Sequence, residues 1–202
     1  MSLLVLASAS PRRIDLLQRA GVPHAVWPVH IDETPAIGEP AAALVERLSR
    51  QKVDAAVPQV AATAPVLGAD TVVVSGDSVL GKPPHEGAAR QMLQLLSGRT
   101  HEVLTGYHLR YLDAQGQVQR TARVIRTEVE VRPLSERELD GYLRSDEWRG
   151  KAGAYAIQGR FGCFVRGVRG SFDNVVGLPL CHVLEDLFAA GVLTAGWPSW
   201  PG

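Results

Sequence analysis

Residues 65–74, PVLGADTVVV, constrain the fold more than any other stretch. The run is apolar almost throughout and β-branched at its end, the composition of a central strand in an α/β frame. Asp70 interrupts it. Burying a carboxylate is expensive unless it is paired or binds a metal. No helix cap or turn explains an Asp in mid-strand, so Asp70 is the first candidate for chemistry. The turn Ser75-Gly76-Asp77-Ser78 then reverses the chain into VLGKP at 79–83, a hairpin pattern. A hairpin centred near Gly76 sets Asp70 and Lys82 near-opposite, within a residue of register. Such a pair suits a charged pocket and equally suits a plain ion pair.

A second stretch, LASASPRRIDLLQRAG at 6–21, reads strand, small-residue loop, helix. Leu3 to Leu6 form a short buried strand. Ser10 is a good N-cap, Pro11 suits the first helical position, and Gly21 is a natural stop. Ile14, Leu17 and Ala20 share one helical face. Arg12 and Arg13 fall in the first turn, where free N–H groups already make the helix end positive. Cations there are misplaced by roughly 0.3–1 kcal/mol each. An anion on the helix end reverses that sign. The stretch is therefore either a phosphate cradle of Ser8, Ser10, Arg12, Arg13 and backbone amides, or a surface helix with two solvated arginines.

Residues 22–34 are irregular and end in IDET, where Asp32 and Glu33, taken alone, read as turn residues. A helix over 41–57 carries Leu44, Val45, Leu48, Ala55 and Ala56 on one face. Lys52 falls within that face. Its ammonium either snorkels to water or points into a cleft. A helix over 86–97 buries Ala89, Met92, Leu93 and Leu96 and stops at Gly98. Strands near 102–112 and 118–131 follow, joined across 113–117, and TEVEVR at 127–132 alternates as a half-solvated strand does. Ser135 and Glu138 form a capping box for a short helix. Glycines are dense from 150 to 177, with Gln158 among them. The last helix spans 180–190, and residues 191–202 form a short tail.

A chain of 202 residues suffices for one full core, in one lobe or two. Its 21 basic and 21 acidic residues cancel, which argues against broad nucleic-acid binding. No signal-peptide pattern and no apolar run of about 18 residues occur, so neither secretion nor a membrane span is expected. Cys163 and Cys181 form no CxxC, which suits a reduced, cytoplasmic setting. The histidines show no HxxxH or HExxH spacing for zinc.

The polar groups set on this apolar frame are Arg12, Arg13, Glu33, Lys52, Asp70, Lys82, Lys151 and Gln158. Cations with a few carboxylates suit a polyphosphate and a divalent metal, Mg²⁺ or Mn²⁺, held through oxygen. One carboxylate can instead take a proton from water. There is no GxxxxGK[ST], no GxGxxG after a strand and no GxSxG.

The chain resembles the Maf family of nucleoside triphosphate pyrophosphatases (septum formation inhibitor proteins). The carrying motifs are LASASPRR at 6–13, DET at 32–34, Lys52, GADTVV at 68–73, GKP at 81–83, LSGRTHEVLTG at 96–106, KAGAYAIQG at 151–159 and NVVGLPL at 174–180. The resemblance covers residues 3 to about 190. It implies one Maf-like α/β domain over 1–190, a mixed elongated sheet flanked by helices, with two lobes and a central cleft like inosine triphosphate pyrophosphatase. It implies metal-dependent hydrolysis of a nucleoside triphosphate to monophosphate and pyrophosphate. Asp70 matches the family's proposed proton acceptor. Arg12, Thr71 and Gln158 match positions tied to substrate choice, and Ser8, Arg13, Glu33, Lys52 and Lys82 match the rest of the cleft. Glu33 and Asp70 are the expected metal carboxylates. Thr71 and Gln158 resemble the dTTP/UTP branch, and a Gln amide offers donor and acceptor to a pyrimidine edge. The alternatives are the 7-methyl-GTP branch and a nucleotide-binding regulator of septum formation. A homodimer is a family expectation. Gly150, Ala156 and the GSF at 170–172 depart from the family's usual residues.

Overall fold

The computed structural model describes residues 3–194 and 197. The tail expected over 191–202 lies mostly outside the described residues.

Among the described residues the chain forms a seven-stranded mixed sheet with helices on it. The strands are β1 (Leu4–Leu6), β2 (His24–Val26), β3 (Val66–Ser75), β4 (Ser78–Leu80), β5 (Thr100–Leu112), β6 (Val118–Val131) and β7 (Val165–Arg169). The helices are α1 (Pro11–Arg19), α2 (Ala41–Ala56), α3 (Glu86–Leu96), α4 (Glu136–Leu143), α5 (Phe172–Val176) and α6 (Leu180–Ala189). The sheet order is β2-β1-β3-β5-β6-β7, with β4 paired to β3. β1 runs parallel to β2 and β3, while β4 on β3 and β7 on β6 are antiparallel.

The chain divides into two compact units. One comprises Met1–Asp70, Thr105–Ile125 and Gly177–Gly202; the other comprises Thr71–Leu104 and Arg126–Val176. In the first unit, Val5 and Ala7 at β1, Ala64, Val66 of β3, and Val53 and Ala56 of α2 form one core cluster. Two glycines let α2 lie directly on the strands. A Cβ at Gly68 would meet Ser49 O at 2.6 Å and Val53 Cγ2 at 2.9 Å. A Cβ at Gly106 would meet Val45 O at 2.5 Å. Helix and sheet thus approach backbone to backbone at both places.

The inward face of α1 is Arg13, Leu16, Leu17 and Ala20, with Ile14 only half-buried. The expected face was centred one residue off, because the apolar stripe turns on the Leu16–Leu17 pair. Along α2, Leu44, Val45, Leu48, Ser49, Lys52, Val53 and Ala56 are buried. The irregular reading of 22–34 missed β2, three residues long and drawn straight by pairing with β1. It is too short to show alternation. β7 was hidden in the glycine-dense stretch and is set by its ladder to β6, which shifts register between Glu130 and Val131.

In the second unit, Ser135 and Glu138 form the expected capping box. An aromatic cluster of Tyr142, Tyr155, Phe161 and Phe164 reaches the buried His101 through Tyr155. His101 Nε2 lies 2.8 Å from the Tyr155 hydroxyl, while its Nδ1 has no partner among the described residues. Burial pushes the imidazole down to about 4. An unfolded histidine titrates near 6.5. The folded state therefore binds fewer protons between those values, and stability falls as pH drops from 6.5 toward 4. Roughly 3 kcal/mol is expected to be lost across that window. Denaturant unfolding of wild type and His101→Gln at pH 7 and pH 4.5 checks it: the variant should show the shallower fall.

Candidate active site

The site of the first unit is built on β3 and α2. Residues two apart on a strand share a face. Gly68 looks onto α2, so Asp70 does too, and Lys52 comes off α2 to meet it. Lys52 Nζ lies 2.5 Å from Asp70 Oδ1 and 2.9 Å from Glu33 Oε1, with Ala69 O at 3.5 Å. Lys52 is 6% exposed and Asp70 7%, whereas the Glu33 side chain is 40% exposed. The ammonium does not snorkel; it joins a buried carboxylate to an open one. A buried ion pair adds little to stability over an apolar pair of equal size, so its presence in a central strand points to chemistry.

α1 brings the next groups. Ser10 sits at the N-cap position with extended backbone, and Pro11 follows at the start of the helix, as expected. The Ser10 side chain, however, makes no capping bond, and no acidic residue lies in the first turn. Instead Ser8 Oγ accepts from Ser10 N at 3.2 Å and from Arg13 Nη1 at 3.2 Å. Arg13 is buried, and its Nε donates to Gly177 O at 2.8 Å. Burial lowers the affinity of its guanidinium for the proton, and the charges of Asp70 and Glu33 oppose that shift. Arg13 is thus not a solvated surface arginine but a second buried cation within electrostatic reach of both carboxylates. Arg12 is half-buried on the same first turn. Ser8, Arg13, Glu33, Lys52 and Asp70 are brought together; Ser10 and Arg12 flank them.

The second unit holds the remaining expected residues. The β3–β4 ladder pairs Val73 with Leu80 and ends there, so Lys82 lies beyond it, exposed. Gly153 N donates to Gly81 O at 3.1 Å, which ties the GKP turn to the KAGAYAIQG segment. Gly153 has φ of 64°, and a Cβ there would stand 2.8 Å from Val73 Cγ2, so only glycine fits. Thr71 follows Asp70 on the other face of β3, the face of Val73. Gln158 is exposed, on a turn closed by Gly159 N to Ala156 O at 3.1 Å and by Arg160 N to Glu147 Oε2 at 2.8 Å. Lys151 Nζ donates to Arg149 O at 3.1 Å.

Two polar residues at the site were not foreseen. Arg47 and Glu39 pair side-on through one guanidinium edge, Nε to Oε1 and Nη2 to Oε2, each at 2.7 Å. They lie eight residues apart across a loop-to-helix junction, where no periodicity links them.

Among the described residues, no three His, Cys, Asp or Glu side chains gather as a metal cage. The donors that converge are two carboxylates, Glu33 and Asp70, on a single cationic nitrogen. Mg²⁺ is commonly held by one or two carboxylates plus substrate phosphates rather than by an all-protein cage. The hard oxygen pair fits that mode. No helix among the described residues is long and apolar enough to cross a membrane.

Comparison with known proteins agrees with the motifs. Residues 3–190 match the family model described as Maf-like protein. A protein of Maricaulis maris named dTTP/UTP pyrophosphatase is 51% identical over 190 residues, 93% of this chain and 88% of its own. Proteins of the same name from Agrobacterium fabrum and Brucella abortus are 45% and 48% identical, each over 96% of this chain and 95% of its own. A solved nucleoside-triphosphatase, a dITP/XTP pyrophosphatase from Mycobacterium abscessus, aligns over 96% of this chain and 99% of its own. At 13% identity and a TM-score of 0.40, that likeness is too loose to establish a shared fold. A match that spans nearly the whole chain, with relatives near half-identical over nine-tenths of it, is decisive: the chain belongs to the Maf-like protein family.

Proposed function

We propose that this chain is a nucleoside triphosphate pyrophosphatase that hydrolyses dTTP and UTP to the monophosphate and pyrophosphate. The observation that carries the reading is the Lys52 ammonium held between a buried carboxylate, Asp70, and a solvent-facing one, Glu33. The names borne by its near relatives support the substrate class.

In this reading the triphosphate meets the first turn of α1, whose end no side chain caps, with Arg12 beside it and Lys82 as a further cation. Arg13 and Lys52 supply buried positive charge where negative charge grows. Asp70 takes a proton from a water that attacks the α-phosphorus. The new bond joins the water oxygen to that phosphorus; the bond that breaks joins it to the oxygen bridging to the β-phosphorus. Pyrophosphate leaves with the electron pair. Glu33 and Asp70 would hold the divalent metal, which supplies charge neutralisation to the phosphates when bound. Thr71 and Gln158 serve base selection.

The test is pyrophosphate release by the purified protein with Mg²⁺ or Mn²⁺ across dTTP, UTP, CTP, GTP and 7-methyl-GTP. Release is expected fastest from dTTP and UTP, with monophosphate as co-product. Release confined to 7-methyl-GTP would keep the chemistry and reverse the substrate. Binding without release from any nucleotide would replace the enzyme by a nucleotide-responsive regulator.

A further inference from the structure

Glu33 stands on a long loop, residues 27–40, with no regular structure between β2 and α2. Most of that loop is exposed, and Ile37 at its tip is fully so. Val29 at the start of the loop packs against the core, but beyond it packing does not hold Glu33 at Lys52. Polar contacts do. Arg47 of α2 grips Glu39 through Nε and Nη2 and also donates from Nη2 to Thr34 O at 3.1 Å, the carbonyl of the residue after Glu33. Its third nitrogen, Nη1, donates to Gln51 Oε1 at 3.2 Å, which steadies the fork on its own helix. Glu39 in turn accepts from Ala36 N at 2.9 Å, and Asp32 Oδ1 accepts from Thr34 N at 2.9 Å. Apart from the Arg47–Gln51 bond within α2, each bond of this set closes the loop on itself or on α2.

We propose that Arg47 is a positioning residue: with Glu39 it clamps the loop in the shape that delivers the Glu33 carboxylate to Lys52. This rests on the pyrophosphatase reading of the site. Arg47 and Lys52 ride on the same helix, so the clamp sets the distance between the two charges through one rigid element. The bidentate fork gives it direction as well as strength. Arg47 hydrogen bonds, with the Ala36 N–H, hold the Glu39 carboxyl down at about 2, so the clamp stays ionised at any pH where a nucleotide hydrolase works.

The experiment is a kinetic cycle with dTTP and UTP on wild type, Arg47→Ala, Glu33→Gln and the double variant. Arg47→Ala is expected to lower kcat by roughly tenfold to a hundredfold, as a displaced catalytic group does, with KM little changed. In the Glu33→Gln background the same change is expected to cost less than about twofold, because the group it positions is already disabled. Arg47→Lys keeps the charge and loses the fork; it should show most of the kcat loss, and it carries the test if the alanine variant does not fold. An equal loss in both backgrounds would overturn the proposal in favour of a general structural role. A raised KM at unchanged kcat would overturn it in favour of direct phosphate binding. A wild-type protein that releases no pyrophosphate would overturn the underlying reaction itself, and this is seen before any variant is compared.

Discussion

Asp70→Asn is expected to abolish pyrophosphate release while the protein remains folded. Asparagine keeps the size and one carbonyl acceptor of aspartate, and Lys52 keeps Glu33 at 2.9 Å, so its charge is not stranded. What disappears is the only carboxylate of the cluster that is buried, hence the one able to take a proton out of contact with bulk water. Loss of a general base lowers rates by about 10²–10⁴-fold. Steady-state pyrophosphate release, with thermal melting alongside, measures both halves. Turnover within a few fold of wild type in a folded variant would remove Asp70 from the chemistry and leave Glu33 as the sole carboxylate candidate.

The second large effect is expected at residues that touch no substrate. Gly106→Ala would press a methyl against Val45 O at 2.5 Å and Val45 C at 2.6 Å; Gly68→Ala would press one against Ser49 O and the Val53 side chain. Backbone atoms do not swing aside as a flexible side chain does, so α2 must lift. Overpacking of this kind costs about 1–3 kcal/mol, several degrees of melting temperature in a chain of this size. The two variants are expected to differ in activity. Gly68 bears on residues 49 and 53, either side of Lys52, so its alanine should reduce turnover beyond what lost stability explains. Gly106 bears on Val45 and the Glu46 N–H, more than a helical turn from Lys52 but beside Arg47, so its alanine should reduce turnover less than Gly68→Ala does, and through the loop clamp, on top of its loss of stability. Differential scanning fluorimetry with kcat measured well below the melting point separates them. Unchanged melting in both would show that the helix seat yields.

The core of the site was legible in the sequence for a definite reason: it violates local rules. Asp70 breaks an apolar strand and Lys52 breaks an apolar helical face, and each violation predicts a partner. The structure makes them each other's partner. The hairpin and the capping box were legible because their signals are local. Arg47 and Glu39 were not, since both stand where charge is unremarked, on a loop and a half-buried helix flank. The helix seat was not legible either: a glycine in a strand has several explanations, and only the position of α2 selects one. The same holds for Ser10. Its place at the N-cap follows from Pro11, but its side chain makes no capping bond, and the hydroxyl that works here is that of Ser8, which accepts from Ser10 N and Arg13 Nη1.

The cluster around Lys52 has one further consequence. Arg13 and Lys52 set two positive charges against the two negative charges of Asp70 and Glu33. At rest the group is electrically neutral, within a chain whose formal net charge is also zero. Opposed charges set this close cancel at a distance, so these four add almost no long-range pull on a polyanion; that pull falls to the flanking Arg12. In the proposed reaction the Lys52 charge becomes available only at contact, when phosphate oxygens replace carboxylate oxygens around it. The cluster is therefore a partner-exchange device, which discriminates among anions that have already arrived and leaves gathering them from solution to cations outside it.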